Sequence, residues 1–192
     1  NEAACVAGLF LGKNKKAYYV EYFDQAKPNE VVLTSEEQVY NGALVVLVNS
    51  ASASSAELLA GGLQEYNRAL IVGERTFGKG TFQEPEKWAM NSNVSLFKTQ
   101  GLYLLPSRNS TQLKGVKPDI ELNSAEIKPI GEEKLYFNPI AKVNHKYHNI
   151  KKIGGKKATL LNLCKNKTFS ILKDLYLQKS LNYLSCAHQS EK

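Results

Sequence analysis

The chain has 192 residues, 43% hydrophobic, 9% aromatic and 22% charged, the balance of a globular domain long enough to bury a sizeable core. The net charge of +7 is uneven: Lys128 to Lys192 holds 13 Lys, no Arg and four acidic residues, a local +9, leaving about −2 on the first 127 residues. No apolar run reaches the roughly 20 residues of a membrane span, and a basic tail with no Arg argues against a nucleic-acid reader, which favours Arg for bidentate contacts.

The opening "NEAACVAGLF" has neither an initiator Met nor the basic start of a signal peptide, so the chain reads as a piece excised from something longer. Residues 1–50 read as strands and turns: "VAGLFLG" (Val6–Gly12), "AYYVEYF" (Ala17–Phe23), a polar loop and a short "VVLT" (Val31–Thr34). "GALVVLVN" (Gly42–Asn49) is continuously apolar, the pattern of a strand covered on both faces. From Ser54 the spacing turns helical, with Leu58, Leu59, Gly62, Leu63 and Tyr66 on one face and Asn67 as a stop. "RALIVGE" (Arg68–Glu74) is a second buried strand, "RTFGKGT" (Arg75–Thr81) a glycine-punctuated loop, and "VSLFKTQGLYLLPS" (Val94–Ser107) further strand. "TQLKGVKPDIEL" (Thr111–Leu122) is polar with an extended exit. Beyond it, Leu and Tyr recur at helical spacing in a Lys/Asn-rich setting. The expected organisation is an α/β core over residues 1–127 and a helical appendage over residues 128–192.

Strand, helix and strand in this order form a β-α-β unit whose two strands run parallel. Ser54 follows the first strand and Lys79 the second, so both stand on the same edge of the sheet, where α/β proteins carry their sites. Ser54 has a plain structural reading: "SSAE" (Ser54–Glu57) fits a capping box. A chemical reading stands beside it, because a helix start stabilises negative charge and the Ser55 N–H would face a developing oxyanion. Lys79 reads most simply as a solvated loop lysine. As a base it would have to be a neutral amine, which needs apolar surroundings such as Phe77 and Phe82 and no carboxylate partner. Gln83 could orient such an amine without adding charge.

Other chemistries fit less well. His145, His148 and His188 all lie in the Lys-rich tail and no G-x-S-x-G elbow is present, which disfavours a Ser-His-Asp triad. "GERTFGKG" (Gly73–Gly80) nearly matches a phosphate-cradling loop, but Gly80 stands where magnesium would need a hydroxyl. Cys5, Cys164 and Cys186 have no CxxC spacing, so a zinc site is not expected; Cys164 and Cys186 could pair, which sequence alone leaves open.

The run "LVNSASASSAELLAGGLQEYNRALIVGERTFGKGTFQ" (Leu47–Gln83), with "TQLKGVKPDIEL" after it, resembles the carboxy-terminal processing proteases. The resemblance is strongest to the tail-specific protease branch of the Gram-negative periplasm and covers residues 1–122. It implies a crotonase/ClpP-like fold and an ATP-independent serine endopeptidase acting near protein C-termini. Ser54 would be the nucleophile, Lys79 the general base, Gln83 the residue orienting that lysine, and Ser55 N–H an oxyanion donor. It implies no metal and no organic cofactor, and as partners extended or unfolded protein substrates and a PDZ module of the full-length chain, not nucleic acid. Peripheral association with the inner membrane is compatible with it. The family's glycine-rich oxyanion segment would lie upstream of Asn1, so this chain alone is expected to react slowly. The readings from other classes are a non-catalytic peptide-binding fragment and a basic scaffold module.

Overall fold

The two Val-rich runs form neighbouring parallel strands in the computed structural model, which describes residues 2–27, 29–87, 94–122, 138–141 and 175–189. They are β3 (Val45–Val48) and β4 (Leu70–Gly73), paired from Val45 with Leu70 to Val48 with Gly73. Helix α2 (Ser55–Glu65) makes the crossover, and β7 (Ile120–Glu121) adds a third parallel strand beside β4. A second, antiparallel sheet runs in the order β2-β1-β6-β5, from β1 (Lys16–Tyr22), β2 (Glu30–Leu33), β5 (Thr81–Lys87) and β6 (Ser95–Leu104). The architecture is mixed α/β.

The segment around "VAGLFLG" departs from the strand expected there: Glu2–Leu11 is helix α1. Its buried residues, Ala4, Ala7, Gly8 and Leu11, fall three and four apart, a helical stripe of small side chains that lets α1 approach α2 closely. Gly12 ends the helix at φ +80°, its N–H donating to the Gly8 carbonyl at 2.7 Å.

Both faces of the parallel sheet carry packed side chains, most completely at β4. Ala7, Leu11, Ala60, Leu63 and Tyr66 from α1 and α2 meet Val48 and Ile71 on one face. On the other, Leu70 and Val72 pack with Leu122, Tyr183 and Cys186. The last two belong to α3 (Leu175–Gln189), the described part of the segment expected to be an appendage. Its Tyr176 hydroxyl donates to Glu74 Oε1 at 2.8 Å, just beyond the end of β4. Among the described residues strand β3 borders this sheet and leaves Leu47 43% exposed, whereas β4 is buried along its length. Cys186 is disulfide-bonded, Cys5 is a free exposed thiol, and Cys164 lies outside the described residues.

Candidate active site

Ala51 and Ser52, two of the crowded small residues, shape with Asn49 the turn that leaves β3. Asn49 receives Ser52 N–H on its carbonyl at 3.0 Å and Ala51 N–H on Oδ1 at 3.0 Å, while its own N–H donates to Ser52 Oγ at 3.2 Å. The chain then reaches Ser54, the N-cap of α2, at φ +56° and ψ −119°. This backbone region suits glycine, and holding a side-chain-bearing residue there costs about 1–3 kcal/mol, a strain that concentrates at functional positions. The Glu57 half of the capping box is made, its Oε2 accepting Ser54 N–H at 2.9 Å. In the serine half the hydroxyl faces Glu57 N–H in the capping-box arrangement but makes no side-chain cap hydrogen bond, and that N–H donates to the Ser54 carbonyl at 2.9 Å. Half-buried Ser54 therefore keeps its hydroxyl available, next to the exposed Ser55 at the positive end of α2.

Glu57 does more than cap. Its side chain is fully buried and its carboxylate gathers donors from two parts of the chain. Oε2 accepts Ser54 N–H and also Lys79 N–H, the latter at 2.8 Å; Oε1 accepts the Thr76 hydroxyl and Gly78 N–H. Burial raises the Glu57 pKa above the ordinary carboxylate range, and the donors from Thr76, Gly78, Ser54 and Lys79 oppose that rise. The loop after β4 is thus pinned to the start of α2. A further tie is Phe77 N–H donating to the Ser52 carbonyl at 2.9 Å.

Lys79 ends this loop, half-buried, with Nζ donating to Gln83 Oε1 at 2.8 Å. The Gln83 carboxamide is itself fixed, its Nε2 donating to Thr81 Oγ1 at 3.1 Å and Thr99 Oγ1 at 3.2 Å. That leaves Oε1 as the atom facing the amine. Among the described residues no carboxylate forms an ion pair with Lys79. Gly78 turns the loop at φ +92°, and Gly80 approaches the following loop so closely that a Cβ there would stand 2.7 Å from Gln112 N. Phe82, expected near the amine, instead stacks on Tyr103 at 4.9 Å in the core.

The expected site residues thus converge at one edge of the parallel sheet, with Gln83 on Lys79 and with Ser54 and Lys79 on a shared carboxylate oxygen. Sequence reasoning saw Glu57 only as a cap and missed Thr76 and Thr99. Thr76 is 1% exposed, and nothing in the linear pattern announced its partner. The loop runs into strand β5 and not into a helix whose N-terminus could hold a phosphate. Among the described residues no group of three or more His, Cys, Asp or Glu could hold a metal ion, and no helix is long and apolar enough to cross a membrane. His145 and His148 lie outside the described residues.

Residues 1–122 match the family model described as Peptidase family S41. The chain is 41% identical over 129 residues to carboxyl-terminal-processing peptidase 3, chloroplastic, of Arabidopsis thaliana, covering 67% of this chain and 24% of that protein. It is 29% identical over 185 residues to the carboxy-terminal processing protease CtpA of Bacillus subtilis strain 168, covering 94% of this chain and 39% of that one. Among solved structures, the photosystem II D1 C-terminal processing protease superposes with a TM-score of 0.55 at 30% identity, over 63% of this chain and 30% of that chain. A lipoprotein from Streptococcus agalactiae, at 15% identity and a TM-score of 0.51 over 64% of this chain and 46% of that one, shares the fold. The chain spans less than half the length of these proteins.

Proposed function

Because this chain belongs to peptidase family S41, we propose that it carries the Ser-Lys dyad of a serine endopeptidase that cleaves extended polypeptides near their C-termini. Ser54 Oγ attacks the scissile carbonyl while the neutral Lys79 amine takes its proton. The oxyanion that develops accepts Ser55 N–H at the start of α2. Lys79 returns the proton to the departing amine, and water, activated by the same lysine, releases the acyl group from Ser54. Gln83 holds the amine through a neutral acceptor, which places no negative charge beside it.

One observation carries the reading: Lys79 Nζ is aimed by Gln83 while its backbone shares a carboxylate oxygen with the backbone of Ser54. In this view residues 1–127 are the C-terminal part of a crotonase/ClpP-like protease core, residues 128–192 a Lys-rich addition. A second oxyanion donor and a substrate-gating PDZ module belong to the remainder of the protein. The proposed location is an oxidising, extracytoplasmic space such as a periplasm, which the disulfide at Cys186 supports.

The test uses the full-length protein. Ser54→Ala should abolish labelling by a serine-reactive phosphonate, and Lys79→Arg should lower peptide cleavage by about 10²–10⁴, because guanidinium cannot give up its proton. Cleavage by Lys79→Arg close to the parent rate would overturn the dyad.

A further inference from the structure

The hairpin that carries Gln83 continues beyond the site with its side chains in register. In β5 and β6, Gln83 stands opposite Thr99, Glu84 opposite Lys98 and Pro85 opposite Phe97. Directly opposed residues share a face, and residues two apart on a strand share it too. The Gln83–Thr99 hydrogen bond marks the face that bears the Lys79 amine, so Pro85 and Phe97 lie on that same face. Glu84 points the other way, where its Oε2 meets Lys27 Nζ at 3.4 Å.

Phe97 is 73% exposed, and Pro85 beside it is exposed as well. A single exposed aromatic is unremarkable on a protein surface. This one stands opposite a proline, one register step from Gln83, whose side chain holds the proposed base. β5 is also the outer strand of its sheet among the described residues, where Pro85 removes an N–H from the free edge.

We propose that Phe97 and Pro85 form an apolar subsite for a substrate side chain, making the site selective for extended polypeptides with an aliphatic or aromatic residue two positions from the scissile bond. The spacing supplies the position: one register step is two residues, about 7 Å, and an extended substrate advances about 3.3 Å per residue. The proposal rests on the Ser54–Lys79 reading, since the amine marks where the scissile bond lies.

The experiment uses the full-length protein and internally quenched peptides that differ only in Leu, Ser or Asp at the two positions on each side of the cleaved bond. The parent is expected to prefer Leu over Ser by about ten-fold or more in kcat/KM at one position two residues away. Phe97→Ala should shrink that preference to about three-fold or less by slowing the Leu peptide, and Phe97→Lys should shift preference toward Asp. Unchanged preferences in both variants, with the parent still labelled by phosphonate at Ser54, overturn the subsite and leave the dyad standing. Failure of the parent to label at Ser54 overturns the dyad and the subsite together. An oligomer in the parent that dissociates on Phe97→Ala overturns the subsite in favour of an interface between copies.

Discussion

Ser54 and Lys79 donate their backbone N–H groups to the same oxygen, Oε2 of Glu57, at 2.9 and 2.8 Å. One buried carboxylate therefore sets the separation of two segments that are 25 positions apart in sequence. Side chains projecting from these backbones inherit that separation, which is why a cap residue matters to a site it need not touch.

Glu57→Gln should be costly although it preserves shape. All four groups on the carboxylate are donors, and a carboxamide presents an NH₂ to two of them. Leaving buried donors unpaired costs about 1–3 kcal/mol each, so a loss of about 2–4 kcal/mol is expected in urea unfolding. Phosphonate labelling of the folded fraction should also slow, because the Lys79 loop is released. A stable variant that labels at the parent rate would show that other ties hold the loop.

Ser54→Gly should gain stability while losing activity. The backbone at φ +56° and ψ −119° is open to glycine and strained for any side chain. The hydroxyl makes no cap hydrogen bond whose loss would offset the relief. Ser54→Gly is expected to unfold about 1 kcal/mol or more later than Ser54→Ala, with neither variant labelling. Equal stabilities for the two would mean that the strain is absent.

The chemistry-bearing stretch was legible because its signals are local: two Val-rich runs, a helical spacing from Ser54 and a glycine-punctuated loop. What was not legible depended on partners distant in sequence. "VAGLFLG" looks like a strand by composition, yet its stripe of Ala and Gly only makes sense against α2. The separate antiparallel sheet was hidden as well, since the pairing of β1 with β6 joins Tyr19 to Leu104 across the whole core. Glu57 was readable as a cap from its place three residues after Ser54. Its second role needed the Lys79 loop to fold back onto it. Leu and Tyr in the tail carry the helical spacing of α3 but do not reveal the sheet face it covers.

Glu65, the last residue of α2, offers a pH test. Its carboxylate accepts Ser107 N–H at 2.8 Å and the Ser107 hydroxyl, and burial raises its pKa above the ordinary 4.5 against those hydrogen bonds. A raised carboxyl favours the neutral form in the fold. Its contribution to stability is therefore complete below the unfolded value and is lost as pH rises through the folded value. Glu65→Gln, neutral throughout, should lack that term. Urea unfolding of both proteins from about pH 4 to about pH 8 should show the parent losing stability relative to the variant as pH rises. The opposite slope would mean that the Ser107 donors outweigh burial.

Gln83→Glu isolates the chemistry from the geometry. Glutamate keeps an oxygen where Oε1 now meets Lys79 Nζ at 2.8 Å, so the amine stays aimed. What changes is charge: a carboxylate at that distance stabilises the ammonium and holds the proton to higher pH. The pH profile of cleavage should therefore move to higher pH, with a rate at neutral pH reduced about ten-fold or more and partly recovered at alkaline pH. The variant also places a carboxylate against Thr81 Oγ1 and Thr99 Oγ1, which can turn from acceptors to donors because hydroxyls serve as either. Folding should for that reason survive the change, and a thermal melt checks it. Gln83→Ala gives the complementary result, a slower enzyme whose profile stays where the parent's lies. A Gln83→Glu profile that coincides with the parent's would show that Lys79 does not act as a neutral base in the step that limits cleavage.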